Sequence, residues 1–380
     1  MTDKKINILI AGGKTGGHLF PGIAIAQALK KKDADVKILF AGIGTDFEMR
    51  ILADYGFNHA KLYSRPIKGR NPLTLVFSLL IIPISIIQAI LIIQKFKPAM
   101  VIGTGGYSSF PIVAGAWLLG IKTGIQEQNT IPGLTNRVLS KIVSVIFLTF
   151  KETKLLSDKK QAIHTGNPVR KIEKNPDQSN MDNSLKKETV LEKKIKKSKF
   201  TLLISGGSQG AVSINKAFLE ALSLMENINQ YDIVHQTGIK DEEQTRAEYL
   251  KLGIKNIIVK AFFNNLGFYQ DMADLIISRA GAGTISEINL KGKPSILIPY
   301  PFAADDHQTS NAKELEKIEA AIVIKDKNLT GQILKQHIEF LKNNKDQLEK
   351  MGKASLSMAM PDADVKIARI ILNMAIKQGV

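Results

Sequence analysis

Two α/β domains, each built on a doubly wound parallel sheet, are expected from three features of this chain. Short apolar, β-branched runs alternate with loops and helical stretches along most of its length. A strand–glycine turn–helix unit occurs twice: Gly12, Gly13 and Gly16 match Gly206, Gly207 and Gly210 at a constant offset of 194 residues. That spacing is too wide for a solenoid repeat and suits two similar domains. The length, 380 residues, exceeds what a single core usually covers.

The first domain is expected over residues 1–170. Residues 6–11, INILIA, read as a buried parallel strand. A turn, Gly12 to Gly17, follows, and Pro21 sits near the first turn of a helix running through Leu29. The next strand, Val36 to Ala41, ends at Gly42, where a dinucleotide-binding fold would place an acidic residue for a ribose, so NAD and FAD are disfavoured. Strands at Met100–Ile102 and Lys122–Gln126 end in Gly103-Thr104-Gly105-Gly106-Tyr107 and Glu127-Gln128-Asn129. Residues 171–199 are polar and lysine-rich, ending KKIKKSK, and read as a linker with a loose insertion. The second domain, 200–360, continues through strands near Asp232–His235, Ile257–Val259, Leu275–Ile277 and Ser295–Pro299. A last helix, 361–380, is expected to return to the first domain.

Composition narrows the function classes. There are no cysteines, which excludes disulfides, thiolate nucleophiles and zinc–thiolate sites, and fits a reducing compartment. The start, MTDKKINILIAGG, does not read as a signal peptide. A net charge of +17 favours anionic partners, and an aromatic content of 6% without interleaved basic residues points away from nucleic acid. An anionic membrane surface or a phosphorylated substrate is the better match. Pro72 to Ile93 has no charged residue and is flanked by Arg65, Lys68, Arg70, Lys95 and Lys97. It is long enough to span a bilayer. A span there would put two strands of one sheet on opposite sides of the membrane, and Pro83 is expected to interrupt any single helix. The run therefore reads as a partly exposed apolar patch with a basic rim, resting on the membrane.

Ser278 to Asn311 concentrates the chemistry. Ala280-Gly281-Ala282-Gly283 reads as a turn after a buried strand, and Thr284 as the start of a helix, in capping-box spacing with Glu287. Free N–H groups and the helix dipole there suit a diphosphate, and the Glu287 carboxylate can accept two ribose hydroxyls. Asp305-Asp306-His307-Gln308 then falls at a strand's C-terminal end, where ligands of open α/β sheets bind.

Taken with GTGGYSSFP at 103–111, EQNTIPGLTNR at 127–137, HTGNPVR at 164–170 and SGGSQGA at 205–211, these segments resemble the MurG family of bacterial peptidoglycan glycosyltransferases. The resemblance covers nearly the whole chain except 171–199. It implies a GT-B fold, two Rossmann-like domains with the active site in the cleft between them. It also implies transfer of N-acetylglucosamine from UDP-N-acetylglucosamine to undecaprenyl-pyrophosphoryl-N-acetylmuramoyl-pentapeptide (lipid I), at the cytoplasmic face of the membrane and without a cofactor. By motif position, Ser208 and Arg170 would contact the donor or its diphosphate. Phe263 would meet uracil through its backbone. Ala282, Gly283, Thr284, Ile285, Ser286 and Glu287 would hold the nucleotide, and Gln308 the sugar hydroxyls. Thr15, Gly16, Gly17 and Asn129 would complete the site from the first domain. Two positions depart from the family pattern: Lys14 stands where glycine is usual and Gly283 where leucine is common.

Glycosyl transfer from a nucleotide sugar needs the leaving diphosphate stabilised and the acceptor hydroxyl deprotonated. Asp33-Ala34-Asp35 and Asp362-Ala363-Asp364 have DxD spacing but read as turn and cap residues, so no metal is expected. Helix N-termini and Arg170 can serve instead. His18, at a helix start, and Glu127 are the two candidate bases; His18 could equally only position the loop or an acceptor phosphate. A diacylglycerol glucosyltransferase and a non-catalytic nucleotide-sugar scaffold are the alternative functions.

Overall fold

The computed structural model describes residues 6–13, 15–65, 72–169, 199–207, 209–254 and 257–376, with 72–79 as backbone only. Lys14, Lys68, Arg70, Arg170, Ser208 and the 171–198 stretch lie outside the described residues. The chain divides into two compact units, residues 1–171 with 360–380, and residues 172–359.

In the first unit, strands β1 (Asn7–Ala11), β2 (Lys37–Gly42), β3 (Asn58–Lys61), β4 (Met100–Gly103), β5 (Lys122–Glu127), β6 (Val145–Leu148) and β7 (Ala162–His164) form one sheet. Their order is β3-β2-β1-β4-β5-β6-β7. Every pairing is parallel. Successive side chains of β1 point to opposite faces, and each face has its own core. Ile8 and Ile10 pack with Leu19, Ile23, Ile367 and Ile371. Leu9 and Ala11 pack with Ala89, Ile93, Ile112 and Val113. The helix Ala363–Ile376 thus belongs to this unit's core. Its carbonyl at Met374 accepts from Lys122 Nζ at 2.9 Å, and its Lys366 Nζ donates to the His164 carbonyl at 2.7 Å.

Pro72–Phe96 is one continuous helix with Pro83 inside it, which corrects the expectation of an interruption. Ser85, Ala89 and Ile93 are buried, whereas Pro83 is exposed. The hydrogen bond that the proline ring removes is therefore lost on the solvent side, and the buried face carries the helix across it.

The second unit holds β8 (Phe200–Ser205), β9 (Tyr231–Gln236), β10 (Ile257–Lys260), β11 (Leu275–Ser278), β12 (Ser295–Leu297) and β13 (Ala321–Val323). The order is β10-β9-β8-β11-β12-β13, again with every pairing parallel. Beneath the sheet, fully buried His235 bridges the Tyr249 hydroxyl (2.8 Å to Nδ1) and Asn215 Oδ1 (2.9 Å to Nε2). The Asn215 amide donates to the Thr237 carbonyl and to Asp241, so its oxygen is the acceptor facing His235. Nε2 accordingly carries the imidazole proton.

Candidate active site

Both sheets reverse their strand order beside the first strand, β1 between β2 and β4, and β8 between β9 and β11. Ligand crevices of doubly wound sheets open at the C-terminal ends of such strands. The sequence-derived site residues that the structure describes lie at or past the C-terminal ends of β1, β5, β10, β11 and β12.

In the first unit, Thr15 caps the helix Gly16–Lys32 in an extended conformation, and its Oγ1 lies 3.2 Å from His18 Nδ1. The imidazole lies against the turn after β4. A Cβ at Gly105 would fall 2.7 Å from His18 Cδ2, and one at Gly106 3.4 Å from Nδ1. Both glycines adopt positive φ, 101° and 77°, so the turn needs them for its backbone as well as for the space the ring occupies. A Cβ at Gly12 would strike Thr104 Oγ1, and one at Gly13 the buried Glu48 carboxylate. The two glycine turns are thereby packed side by side, with His18 seated on the second.

Glu127, the other candidate base, ends β5 and is 1% exposed. Oε1 accepts from the Asn129 amide N at 2.9 Å and its Nδ2 at 3.3 Å. Oε2 accepts from Gly133 N at 3.2 Å and Asn136 Nδ2 at 2.8 Å. Burial pushes its carboxyl up from the ordinary value, and these four donors pull it back down. A carboxylate has about four acceptor directions, and here all four are taken. The group folds the 128–136 loop around itself and sets Asn129.

In the second unit, the helix Ala282–Leu290 follows β11. Its N-cap is Gly281 (φ −66°, ψ 142°), with no side-chain cap hydrogen bond. This corrects the expected Thr284–Glu287 capping box. Gly281 already takes the extended cap conformation, so Ala282 and Gly283 are helical and Thr284 lies inside the first turn. The backbone amides of Ala282, Gly283 and Thr284 are the open N-terminal donors of that helix. Ile285 is buried below, and the Ser286 hydroxyl donates to the Ala282 carbonyl at 2.8 Å. Glu287 Oε2 accepts from Gln270 Nε2 at 3.1 Å, a contact that orients the carboxylate. Gln308, in the first turn of the helix His307–Glu316, accepts from the Tyr300 amide through Oε1 at 3.0 Å. Phe263 is fully buried, and its amide donates to Gln236 Oε1 at 3.0 Å, while Gln236 Nε2 donates to the Gly207 carbonyl at 3.0 Å. Gln236, Gln270 and Arg279 were not signalled by the sequence. They lie outside recognisable spacing patterns or act on a partner far along the chain. Among the described residues, no group of three or more His, Cys, Asp or Glu is placed to hold a metal ion. Asp33 caps the end of its helix and accepts from the Asp35 amide, and Asp364 lies in the first turn of another.

Comparison with known proteins decides the family. Residues 8–148 match the glycosyltransferase family 28 N-terminal domain, and residues 201–367 its C-terminal domain. The chain is a family 28 glycosyltransferase. It is 43% identical, over 93% of its length and 94% of the relative's, to the UDP-N-acetylglucosamine--N-acetylmuramyl-(pentapeptide) pyrophosphoryl-undecaprenol N-acetylglucosamine transferase of Syntrophus aciditrophicus. The Myxococcus xanthus enzyme of the same name is 36% identical over 98% of this chain and 94% of that one. Among solved structures, Acinetobacter baumannii MurG superposes with a TM-score of 0.74 at 28% identity, covering 97% of this chain and 99% of that one. Family 28 membership accounts for the two parallel sheets and confirms the GT-B fold that the resemblance implies.

Proposed function

We infer that this glycosyltransferase carries out the reaction for which its relatives are named, moving N-acetylglucosamine from UDP-N-acetylglucosamine to N-acetylmuramyl-(pentapeptide) pyrophosphoryl-undecaprenol. One observation carries the donor assignment. The Glu287 carboxylate stands on the second turn of a helix whose N-terminal amides are uncapped by any side chain, and Gln270 holds it in place. That pairs a diphosphate cradle with a ribose acceptor on one short element. Phe263, Gln308, Ser208 and Arg170 complete the donor side, and Thr15, Gly16, Gly17 and Asn129 serve the acceptor.

The chemistry follows from this division. The acceptor hydroxyl attacks the anomeric carbon as the bond to the UDP oxygen breaks. The hydroxyl proton passes to His18, and the charge on departing UDP is met by helix-terminal N–H groups. In the tautomer that donates Nδ1–H to the Thr15 hydroxyl, the lone pair that takes the proton is on Nε2. Attack from the face opposite the leaving group inverts the anomeric configuration. Glu127, with its acceptor directions filled, positions Asn129 rather than serving as base.

The same reading puts the chain on the cytoplasmic membrane face, bound peripherally to anionic lipid, with no role for nucleic acid. Leu80, Ile84, Ile87 and Leu91 are 59–63% exposed along the helix Pro72–Phe96. Their spacing of four, three and four residues makes a single apolar stripe. Lys95 and Lys97 are exposed just past the stripe's C-terminal end, and Arg65 is exposed beside Tyr63, whose amide donates to Gln88 of the same helix. Among the described residues, no helix is long and apolar enough to cross a membrane.

Turnover of radiolabelled UDP-N-acetylglucosamine with a synthetic lipid I analogue tests the assignment, with diacylglycerol as the competing acceptor. Transfer to diacylglycerol alone, or nucleotide-sugar binding without transfer to either, would overturn it.

A further inference from the structure

Arg279 directly follows β11, and its guanidinium reaches three separate loops. Nη2 donates to the Ser213 hydroxyl at 2.9 Å, on the first turn of the helix after the Gly206–Ala211 turn. Nη1 donates to the carbonyls of Ile298 and Pro299 at 3.3 and 3.2 Å, just past β12. Nη1 also donates to Asp326 Oδ1, on the turn after β13. The Ser213 hydroxyl, in turn, donates to the same Asp326 oxygen at 2.7 Å. The guanidinium carbon lies over the Tyr300 ring, 5.5 Å from its centroid. The Tyr300 amide then donates to Gln308. The ion pair is largely buried, 12% exposed on the Arg279 side and 19% on the Asp326 side.

We propose that Arg279 and Asp326 are positioning residues for the nucleotide-sugar site: the pair ties the helix start at Ser213, the 279–283 turn and the 298–308 loop to one another and touches no substrate. This rests on the donor-site assignment above. A planar guanidinium with five N–H donors can satisfy a carboxylate, a hydroxyl and two carbonyls at once, and lysine cannot. The cation's charge is also already matched by Asp326. It therefore contributes geometry rather than field at a bound diphosphate. The segments it joins border the glycine turn and carry the helix N-terminus and Gln308. None of these is adjacent in sequence, so a misplacement in one is not corrected locally.

The test is Asp326→Asn in the full-length protein, with UDP binding measured by calorimetry and transfer kinetics varied separately in donor and acceptor. The UDP Kd and donor KM should rise about tenfold, the size of effect expected when a coupled, partly buried pair is broken. The acceptor KM should stay within about twofold. Asp326→Glu, which restores the charge, should recover part of the affinity, and Arg279→Lys should behave like Asp326→Asn. Failure of the wild-type protein to bind UDP would instead sink the donor-site assignment itself. A lowered Tm with unchanged UDP Kd would make the cluster purely structural and overturn the proposal. So would tighter UDP binding, which would mean that released Arg279 grips the diphosphate, and so would equal rises in donor and acceptor KM. Should Asp326→Asn fail to fold, Ser213→Ala removes one arm of the clamp while keeping the ion pair. A UDP Kd raised by about threefold is then expected, and no change overturns the idea.

Discussion

The Thr15 hydroxyl lies 3.2 Å from His18 Nδ1, and the imidazole edge is seated on Gly105 and Gly106. Ring orientation is thus fixed from two directions, by a hydrogen bond on one nitrogen and by backbone without side chains beneath the ring. A general base held this way needs no further reorganisation when the acceptor arrives. His18→Ala should lower kcat by roughly 10²–10⁴ while UDP Kd stays near wild type. Thr15→Val should follow the same direction with a smaller loss, roughly tenfold. The acid limb of the pH–rate profile should vanish in His18→Ala. If that substitution raises only the acceptor KM, His18 positions the acceptor and another group takes the proton.

Glu287 should act on the nucleotide and not on the chemical step. Charge-assisted hydrogen bonds to two ribose hydroxyls are worth about 1.5–3 kcal/mol each before solvent losses. Glu287→Ala should raise the donor KM by one to two orders of magnitude, about 1.4 kcal/mol per tenfold. The variant should also lose its preference for UDP-N-acetylglucosamine over the 2′-deoxy analogue. Gln270→Leu leaves the carboxylate without its orienting donor and should give a smaller rise in the same parameter. Retained 2′-hydroxyl discrimination in Glu287→Ala would remove Glu287 from the ribose.

Much of this arrangement could be read before the coordinates. INILIA and FTLLIS are short, apolar and followed directly by glycine, LIIS is short and apolar with Gly281 three residues on, and each became a central strand. Thr15 and His18 were both named from the sequence, but their hydrogen bond was not. What the sequence hid falls into two physical kinds. Long-range partners such as Gln270 on Glu287 and Asp326 on Arg279 carry no spacing signal, because the sheet, not the helix period, brings them together. Backbone conformation overruled two local rules. Gly281 took the cap that Thr284 was expected to supply, and packing of Ala89 and Ile93 held the Pro72–Phe96 helix intact past Pro83. The repeated glycines also differ in conformation: Gly207 and Gly210 have φ of 84° and 77°, whereas Gly16 is the first residue of its helix.

Membrane attachment should map to the exposed stripe. Ile84→Asp combined with Ile87→Asp places two carboxylates on a face that makes no core contact, so folding should be unaffected. Co-sedimentation with phosphatidylglycerol vesicles should fall at least tenfold, since burying about two isoleucines contributes roughly 1.5–3 kcal/mol each. High salt should release the wild-type protein in part, through its basic rim. Undiminished sedimentation of the double variant would move the attachment elsewhere.

His235 gives the second unit a defined acid sensitivity. Burial lowers its pKa to about 3, against 6.5 for the free side chain. The unfolded chain therefore takes up the proton first as pH falls. The stability from neutral His235 is full above pH 6.5 and is lost progressively toward pH 3, by about 1.4 kcal/mol per pH unit. Denaturant midpoints of wild type and His235→Gln, compared between pH 6.5 and 5, should show the wild-type slope to be the steeper. Parallel slopes would mean that the imidazole is not held neutral.

Glu127→Gln separates base from scaffold. The substitution keeps the shape but turns an NH2 group toward two of the four donors that now converge on the carboxylate. Leaving buried donors unmatched costs about 1–3 kcal/mol each, so the Tm should fall by several degrees. The acceptor KM should rise as Asn129 shifts, and the acid limb of the pH–rate profile should remain, because the proposed base is His18. Burial raises the folded-state pKa of Glu127, so its contribution to stability is full at acid pH and is lost as pH climbs through the raised value. The wild-type advantage over Glu127→Gln should therefore narrow as pH rises above the ordinary glutamate range. A base would behave otherwise: kcat would collapse, the pH limb would disappear and the Tm would hold, and that outcome would return Glu127 to the chemical step.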